Sequence, residues 1–356
     1  MSNSVGCVER SGSVAAEDGA AVARVRSAGA VPLLVSATPE LCLGWETASL
    51  LHGRTNNPYH LACTPGGSSG GEPSEDLPLV LGVMAGDRGH LLNLHQPVDL
   101  STIKVHYMTE ASRSVALLPV EHSIRELIVR AATHLRDHCG ATLTEKKFKA
   151  LEDSVEMSIS VFFSMKDIPN LLHDPANPKR DKSLLLELMK SAFGAASRSL
   201  QALGFALISR TRLFIPRART QHYQDLARRL QQDIEVTTSS LAPSSHTLYI
   251  TRFWNALMFV VALYHQSTLG SDGVLLYPAH CGPAHAHSLV FLRAAGVLYT
   301  MPLNVLALPA TVVPVHDPRH TMPLALQVIA GPNQDRLCLA VARQLERAFG
   351  GWRPPR

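Results

Sequence analysis

A compact run of glycine and serine, Gly66-Gly67-Ser68-Ser69-Gly70-Gly71-Glu72, is the segment of this sequence best suited to chemistry. The paired glycines on each side allow positive φ and a close approach of the backbone to a reacting group. They also leave both serine hydroxyls unobstructed. Runs of this composition are more often flexible linkers. The symmetry of this run, its final glutamate and the preceding GRTNNPY at residues 53–59 favour a functional site instead.

A second candidate is the histidine loop, which we define as residues 278–287 (PAHCGPAHAH). It brings His280, His285 and His287 together with Cys281. The spacing matches no standard zinc motif, so the segment is interpreted as a loop beside the substrate that follows a buried strand. We therefore predict no metal and no cofactor.

The composition and charge of the sequence limit the classes of protein to which it can belong. The chain has 356 residues, 46% of them hydrophobic and 17% charged, which is typical of a globular protein. A net charge of +4 does not favour nucleic-acid binding. The six scattered cysteines lack any CxxC pair, which indicates free thiols in a reducing compartment. The sequence shows no signal peptide, and the apolar run 253–264 is shorter than the roughly 20 residues of a membrane span. These features predict an intracellular protein, either cytoplasmic or peripheral on a membrane.

The elements that must position these loops alternate between helix and strand. Helices are predicted over 14–28, 123–138, 183–214, 223–234 and 336–349, and strands over 30–35, 103–107, 274–277, 311–315 and 324–330. Residues 52–77 are predicted to be loop, since they are dense in glycine, proline, asparagine and serine. The alternation predicts an α/β fold with a mostly parallel central sheet flanked by helices.

The glycine-serine loop, preceded by its GRTNNPY segment, resembles the hallmark of the amidase-signature family. Further similar segments are 28–33 (AGAVPL), 81–86 (LGVMAG), 304–310 (NVLALPA) and 323–332 (PLALQVIAGP). The ending LERAFGGW at 345–352 is similar to the branch of the second vertebrate fatty-acid amide hydrolase. The resemblance covers residues 14–86 and 100–356, with interruptions.

The resemblance implies hydrolysis of lipid-derived amides by a Ser–Ser–Lys triad. Ser68 matches the relay serine of the motif and Ser69 its neighbour, while Gly66, Gly67, Gly70 and Gly71 supply loop backbone near the substrate. The family's lysine lies upstream of the predicted strand at Ala30, yet the first lysine of this sequence is Lys104. The family's nucleophile lies in a GGSIR-type segment, whereas Glu72 is followed here by PSEDLPLVLGVMAGDRG. This difference predicts a chain that is catalytically dead or strongly impaired.

The comparison with the family also predicts the domain organisation. We expect a disordered N-terminus at 1–13 and a single amidase-like domain at 14–356. The domain lacks the catalytic block after about residue 72 and carries an insert at 235–270. These differences are those expected of a truncated or variant form, which is either an alternatively spliced or an imperfectly predicted product.

Two functions remain open at this point. The first is a hydrolase of fatty-acid amides, impaired in this chain. The alternative is a non-catalytic relative that binds acyl lipids or another protein. Residues 198–219 combine apolar residues with five arginines. They form either a core-packing helix or a peripheral contact with a membrane.

Overall fold

The computed structural model describes residues 2–67, 76–111, 118–145, 148, 151, 172–173, 181–211, 269–289, 293–306 and 308–355. The described helices are α1 (Ala20–Ser27), α2 (Leu77–Ala85), α3 (His122–Cys139), α4 (Leu184–Ala192), α5 (Leu200–Thr211), α6 (Met301–Leu306) and α7 (Asp335–Phe349). The strands are β1 (Ala48–Ser49), β2 (Gly53–Arg54), β3 (Lys104–Tyr107), β4 (Thr142–Glu145), β5 (Gly273–Pro278), β6 (Ala310–Val315) and β7 (Leu324–Ala330).

Five of these strands form one sheet in the order β4-β3-β5-β7-β6. β3 runs parallel to both β4 and β5, and β7 runs antiparallel to both β5 and β6. The predicted α/β class is confirmed, and the described sheet is mixed. The reason is local: only residues 316–323 connect β6 to β7, whereas a parallel crossover takes about a dozen residues or more.

Helices α3 and α7 cover the sheet and contact each other. The amphipathic face of α3 buries Leu127, Ile128 and Leu135 over β3, β5 and β7. Helix α7 packs on β6 and β7, and its Phe349 ring lies 5.6 Å from the ring of His134. β5 is buried along its whole length, which places it at the centre of the core.

Helices α4 and α5 belong to a second, smaller apolar cluster, which consists of Leu172, Leu184, Leu203 and Ala206. The predicted helix over 183–214 is therefore two helices in its described part. Glu9 and Glu40 reach this pair from the N-terminal segment, where both carboxylates pair with Arg198. Residues 2–13, expected to be disordered, include a 3-10 helix at Val8–Arg10 and the buried thiol of Cys7.

The predicted buried strand at 30–35 is wrong. These residues form neither helix nor strand, and Val31, Leu33 and Leu34 expose 76%, 89% and 75% of their surface. An apolar run becomes a strand only where a neighbouring strand takes its backbone hydrogen bonds. Among the described residues no strand pairs with 30–35, and Pro32 lacks an N–H to donate. The other predicted strands correspond to β3, β5, β6 and β7.

Several predicted segments lie outside the described residues. They are the helix at 223–234, the insert at 235–270 apart from residues 269–270, the apolar run 253–264 and residues 212–219. No helix in the described part of the chain is both long and apolar enough to cross a membrane.

Candidate functional site

The described part of this segment ends at Gly67, inside the glycine-serine loop, and contacts with Thr47 hold the first residues of the loop in place. Gly66 has φ of +91°, as expected for a glycine at a turn into such a loop. Its carbonyl accepts hydrogen bonds from the amide and the hydroxyl of Thr47, at 3.0 and 2.7 Å. A Cβ atom at Gly67 would lie 3.2 Å from the Thr47 hydroxyl and 3.3 Å from the Gly44 carbonyl. Only a glycine fits there without displacing its neighbours.

The residues before the loop form a self-bonded turn. The Asn57 side chain donates to the carbonyl of Thr64 at 2.9 Å and accepts from the amide of Tyr59 at 3.0 Å. The Thr64 hydroxyl in turn accepts from the Gly66 amide at 3.0 Å. Asn57 and Thr64 are buried, so this network fixes the path of the chain into the loop.

The histidine loop pairs with the same turn. The amide of Thr64 donates to the carbonyl of His285 at 2.9 Å, and the amide of His287 donates to the carbonyl of Ala62 at 3.1 Å. Since the histidine loop leaves the carboxyl end of β5, the entrance to the glycine-serine loop lies beside that end of the sheet. In open α/β sheets this edge is where ligands bind.

Ser68, Ser69, Gly70 and Gly71 lie outside the described residues, so their predicted roles stay predictions. Gly66 and Gly67 lie beside the carboxyl end of β5, and their predicted role near the substrate also stays a prediction. The predicted absence of a lysine beside Ser68 is likewise not tested. Within the described residues no group of three or more histidine, cysteine, aspartate or glutamate side chains is placed to hold a metal ion.

A buried carboxylate that sequence reasoning missed joins the two loops. The Glu46 side chain is 2% exposed, and its Oε1 lies 2.6 Å from Nδ1 of His287. Its Oε2 accepts from the amide of Ser288 at 3.1 Å, and Nε of Arg54 lies 3.4 Å from Oε1. The second ring nitrogen of His287, Nε2, lies 3.1 Å from the carbonyl of Leu61. We call Glu46, Arg54 and His287 the clasp.

The contacts within the clasp indicate that His287 stabilises the folded protein. His287→Ala is expected to lower the free energy of unfolding by about 2 kcal/mol, because a hydrogen bond to a buried charge contributes roughly 1.5–3 kcal/mol. Urea unfolding measures the change. His122→Ala is the matched control, since His122 is 84% exposed and lies 4.0 Å from Glu126. That exposed pair is expected to contribute less than about 0.5 kcal/mol. Equal losses in the two variants would contradict the assignment.

One lysine–serine contact occurs in the described structure, and it lies between α4 and α5. Nζ of Lys182 donates to Oγ of Ser197 at 2.9 Å, while that hydroxyl donates to Glu187 at 2.9 Å. Lys182 also pairs with Glu9. Lys182 is engaged by Glu9 and, through Ser197, by Glu187, so it is not placed to act as a base.

Comparison with known proteins supports the geometry. The family model "Amidase" matches residues 1–74, which include the turn and the whole glycine-serine loop. Fatty-acid amide hydrolase 2-B of Danio rerio is 28% identical over 430 residues, covering 100% of this chain and 74% of its own. Fatty-acid amide hydrolase 2 of Homo sapiens is 27% identical over 426 residues, covering 99% of this chain and 73% of its own.

The fold is also similar to that of solved hydrolase structures. The structure of 6-aminohexanoate cyclic dimer hydrolase superposes with a TM-score of 0.60 at 15% identity, covering 98% of this chain and 81% of its own. At that identity the similarity concerns the fold alone. The family match over residues 1–74, the similarity to fatty-acid amide hydrolases along this whole chain and the fold agree in their likeness to the amidase-signature family.

Proposed function

We propose that this chain is a fatty-acid amide hydrolase-like protein in which amide hydrolysis is abolished or strongly impaired. The observation that carries the proposal is the segment that follows the glycine-serine loop. Residues 77–85 form helix α2, and the sequence contains no serine between Ser74 and Ser101. The family's mechanism needs its nucleophilic serine in this region, in a glycine-rich segment. Ser101 does not replace it, because its hydroxyl donates to Asp99 at 2.7 Å in a turn of its own.

The length of the alignment supports a missing internal block. The alignment with the Danio rerio relative spans 430 positions, whereas this chain has 356 residues, all of them covered. The relative therefore has internal segments opposite which this chain has none. We place one such gap after about residue 72, within a single domain at 14–356 that carries an insert at 235–270. This organisation is that of a truncated or variant form.

The described lysines support the same proposal. Lys104, Lys182 and Lys190 each lie within ion-pairing distance of a carboxylate, those of Asp272, Glu9 and Glu187. Each of these lysines is engaged by a carboxylate, so none of the three stands free to serve a serine as a base. A serine hydroxyl without a base is a weak nucleophile.

The small-molecule partner that fits this proposal is a fatty-acid amide. The names of the two vertebrate relatives describe hydrolases of such amides. The test is ammonia release from a long-chain primary amide, which we expect to remain at the rate in buffer alone. Release that disappears in Ser68→Ala would overturn the proposal.

The alternative function, non-catalytic binding of acyl lipid at a membrane, is favoured by one apolar surface. Leu185, Met189 and Phe193 are spaced four residues apart along and just beyond α4, so they share one face. They expose 71%, 56% and 85% of their surface. By contrast, Arg198 is 6% exposed and paired with Glu9 and Glu40. The described part of 198–219 therefore packs α5 on α4, and α4 supplies the exposed face.

We expect this face to contribute to vesicle binding. Changing Leu185, Met189 and Phe193 to serine should weaken co-sedimentation with anionic vesicles at least tenfold, since each inserted apolar side chain contributes about 1.5–3 kcal/mol. Changing Val14, Leu61 and Leu79 to serine is the control, because these residues are exposed by 67–70% outside α4 and α5. Equal binding by the two triple variants would refute the membrane contact.

A further inference from the structure

The loop that leaves β5 carries a thiol and an imidazole that the proposed function does not use. β5 ends at Pro278, and His280 and Cys281 follow directly. β3 runs parallel to β5, so Glu110, which follows β3, is brought to the same edge of the sheet. Cys281 is fully buried, whereas His280 is half-buried.

Cys281 lies beside His280, whose Nδ1 is 3.8 Å from the Cys281 Sγ. The charge of Arg293 also acts on the thiol. Burial raises the pKa of the Cys281 thiol, but the contact with His280 and the charges of His280 and Arg293 outweigh it, so the pKa is lowered overall. Burial lowers the pKa of His280, but its contacts with Cys281 and with the Gly282 carbonyl raise it overall.

The imidazole has little freedom to leave this position. A Cβ atom at Gly296 would lie 2.1 Å from Nε2 of His280, so the ring sits directly on that glycine. Nδ1 also lies 2.9 Å from the carbonyl of Gly282. On the other side, the amide of Glu121 donates to the carbonyl of Cys281 at 2.7 Å, which fixes the backbone that carries the thiol.

Glu121, His285 and Tyr299 also lie around the thiol, but none of the three supplies a positive charge to it. Oε1 of Glu121 lies 3.5 Å from NH1 of Arg293 and competes for that guanidinium. Burial lowers the pKa of His285, and the charges of His280 and Arg293 lower it further, so His285 favours its neutral form. Burial and the Glu110 carboxylate raise the pKa of Tyr299, which keeps its hydroxyl protonated.

We propose that Cys281 is a reactive thiol, activated by His280 and Arg293, that is oxidised by small hydroperoxides to a sulfenic acid. The thiolate sulfur attacks the terminal oxygen of the peroxide, an S–O bond forms and the O–O bond breaks. The sulfur loses two electrons and the peroxide gains them. With hydrogen peroxide, the hydroxide that leaves takes the proton of the His280 imidazolium and becomes water. Burial of the thiol restricts the reaction to small oxidants.

The chain contains its own matched controls. Cys338 is also buried, but its Sγ contacts Thr311 and the Val328 carbonyl, and burial raises its pKa to about 12. Cys63 lies 3.7 Å from Nδ1 of His60 on a half-exposed loop. It tests whether an imidazole alone activates a thiol. Cys42 is an exposed thiol.

The experiment treats the full-length chain with hydrogen peroxide and traps sulfenic acid with dimedone at pH values from 6 to 9. Mass spectrometry of peptides then gives the rate at each cysteine. We expect Cys281 to react at least tenfold faster than Cys338 at pH 7, with a rate that reaches half its maximum at lower pH than for Cys42. His280→Gln and Arg293→Gln should each remove most of this advantage.

Other results would overturn the proposal. A Cys281 rate equal to that of Cys338 would show that burial dominates. An unchanged Cys281 rate in His280→Gln and Arg293→Gln would show that the two cations do not activate the thiol. The comparison of cysteines within the unaltered chain requires no variant to fold. Its outcome is also independent of amide turnover, so the proposed function does not decide it.

Discussion

Purified protein is expected to release ammonia from a long-chain primary amide no faster than buffer does. Removing the nucleophile or the base of a catalytic triad lowers turnover by about 10⁴–10⁶-fold. Loss of a single oxyanion donor lowers it by a further 10²–10³-fold. The segment after residue 72 provides neither the Gly-Gly-Ser sequence nor a serine before Ser101, apart from Ser74. Turnover should therefore lie below the detection limit of a continuous assay.

The controls for this prediction distinguish an absent nucleophile from a damaged preparation. A catalytically competent fatty-acid amide hydrolase in the same assay confirms that the substrate is presented properly. The proposal gives neither serine an activating base, so Ser68→Ala and Ser69→Ala should leave the background rate unchanged. A serine-directed sulfonyl fluoride should likewise leave both residues unmodified. Measurable turnover that either substitution abolishes would show that the glycine-serine loop contains a working nucleophile.

The elements that the sequence predicted well are those whose own pattern decides their structure. Residues 123–138 repeat apolar side chains at helical spacing, and the structure has α3 at His122–Cys139. The runs that became β5 and β7 are apolar stretches, interrupted in β7 by Gln327, and the two strands pair with each other inside the sheet. Because these strands are almost completely buried, few other arrangements of the chain would remove their side chains from water.

The predictions that failed or stopped short depend on distant parts of the chain. Residues 30–35 have the composition of a buried strand, but no local property of a sequence specifies whether a neighbouring strand is present. The contact between Glu46 and His287 joins residues 241 positions apart, and Glu46 lies in no recognisable motif. The local signals were Arg54, which lies in the GRTNNPY segment, and His287, which lies in the histidine loop. The sequence places His280 beside Cys281, but the orientation of the two side chains depends on residues such as Gly296 that are distant along the chain.

The second large effect is expected in solubility, and it follows from the exposure of residues 30–35. Val31, Leu33, Leu34 and Val35 are exposed by 56–89%. Each such side chain loses about 1.5–3 kcal/mol of burial relative to a packed strand. A domain is stable by only about 5–15 kcal/mol, so four of them are a substantial part of that margin. The protein is expected to bind a hydrophobic dye strongly and to be poorly soluble.

The described sheet adds a second surface for association. Among the described strands β6 pairs only with β7 and lies at the edge, and Val312 on it is 52% exposed. Unpaired edges of this kind act as templates for other chains. Val312→Lys places a charge on the edge and should reduce aggregation without changing the free energy of unfolding by more than about 0.5 kcal/mol.

The decisive variant is the double substitution Leu33→Ser with Leu34→Ser. Because both side chains already face solvent, the change should raise soluble yield and reduce dye fluorescence several-fold while leaving the urea midpoint unchanged. Leu326→Ser is the opposite case, since Leu326 is fully buried between β5 and β6. It should cost at least about 2 kcal/mol of stability. Unaltered protein that is monodisperse and binds no dye would contradict the exposure of residues 30–35. So would a double variant whose midpoint falls as far as that of Leu326→Ser, because only a buried segment loses stability in that way.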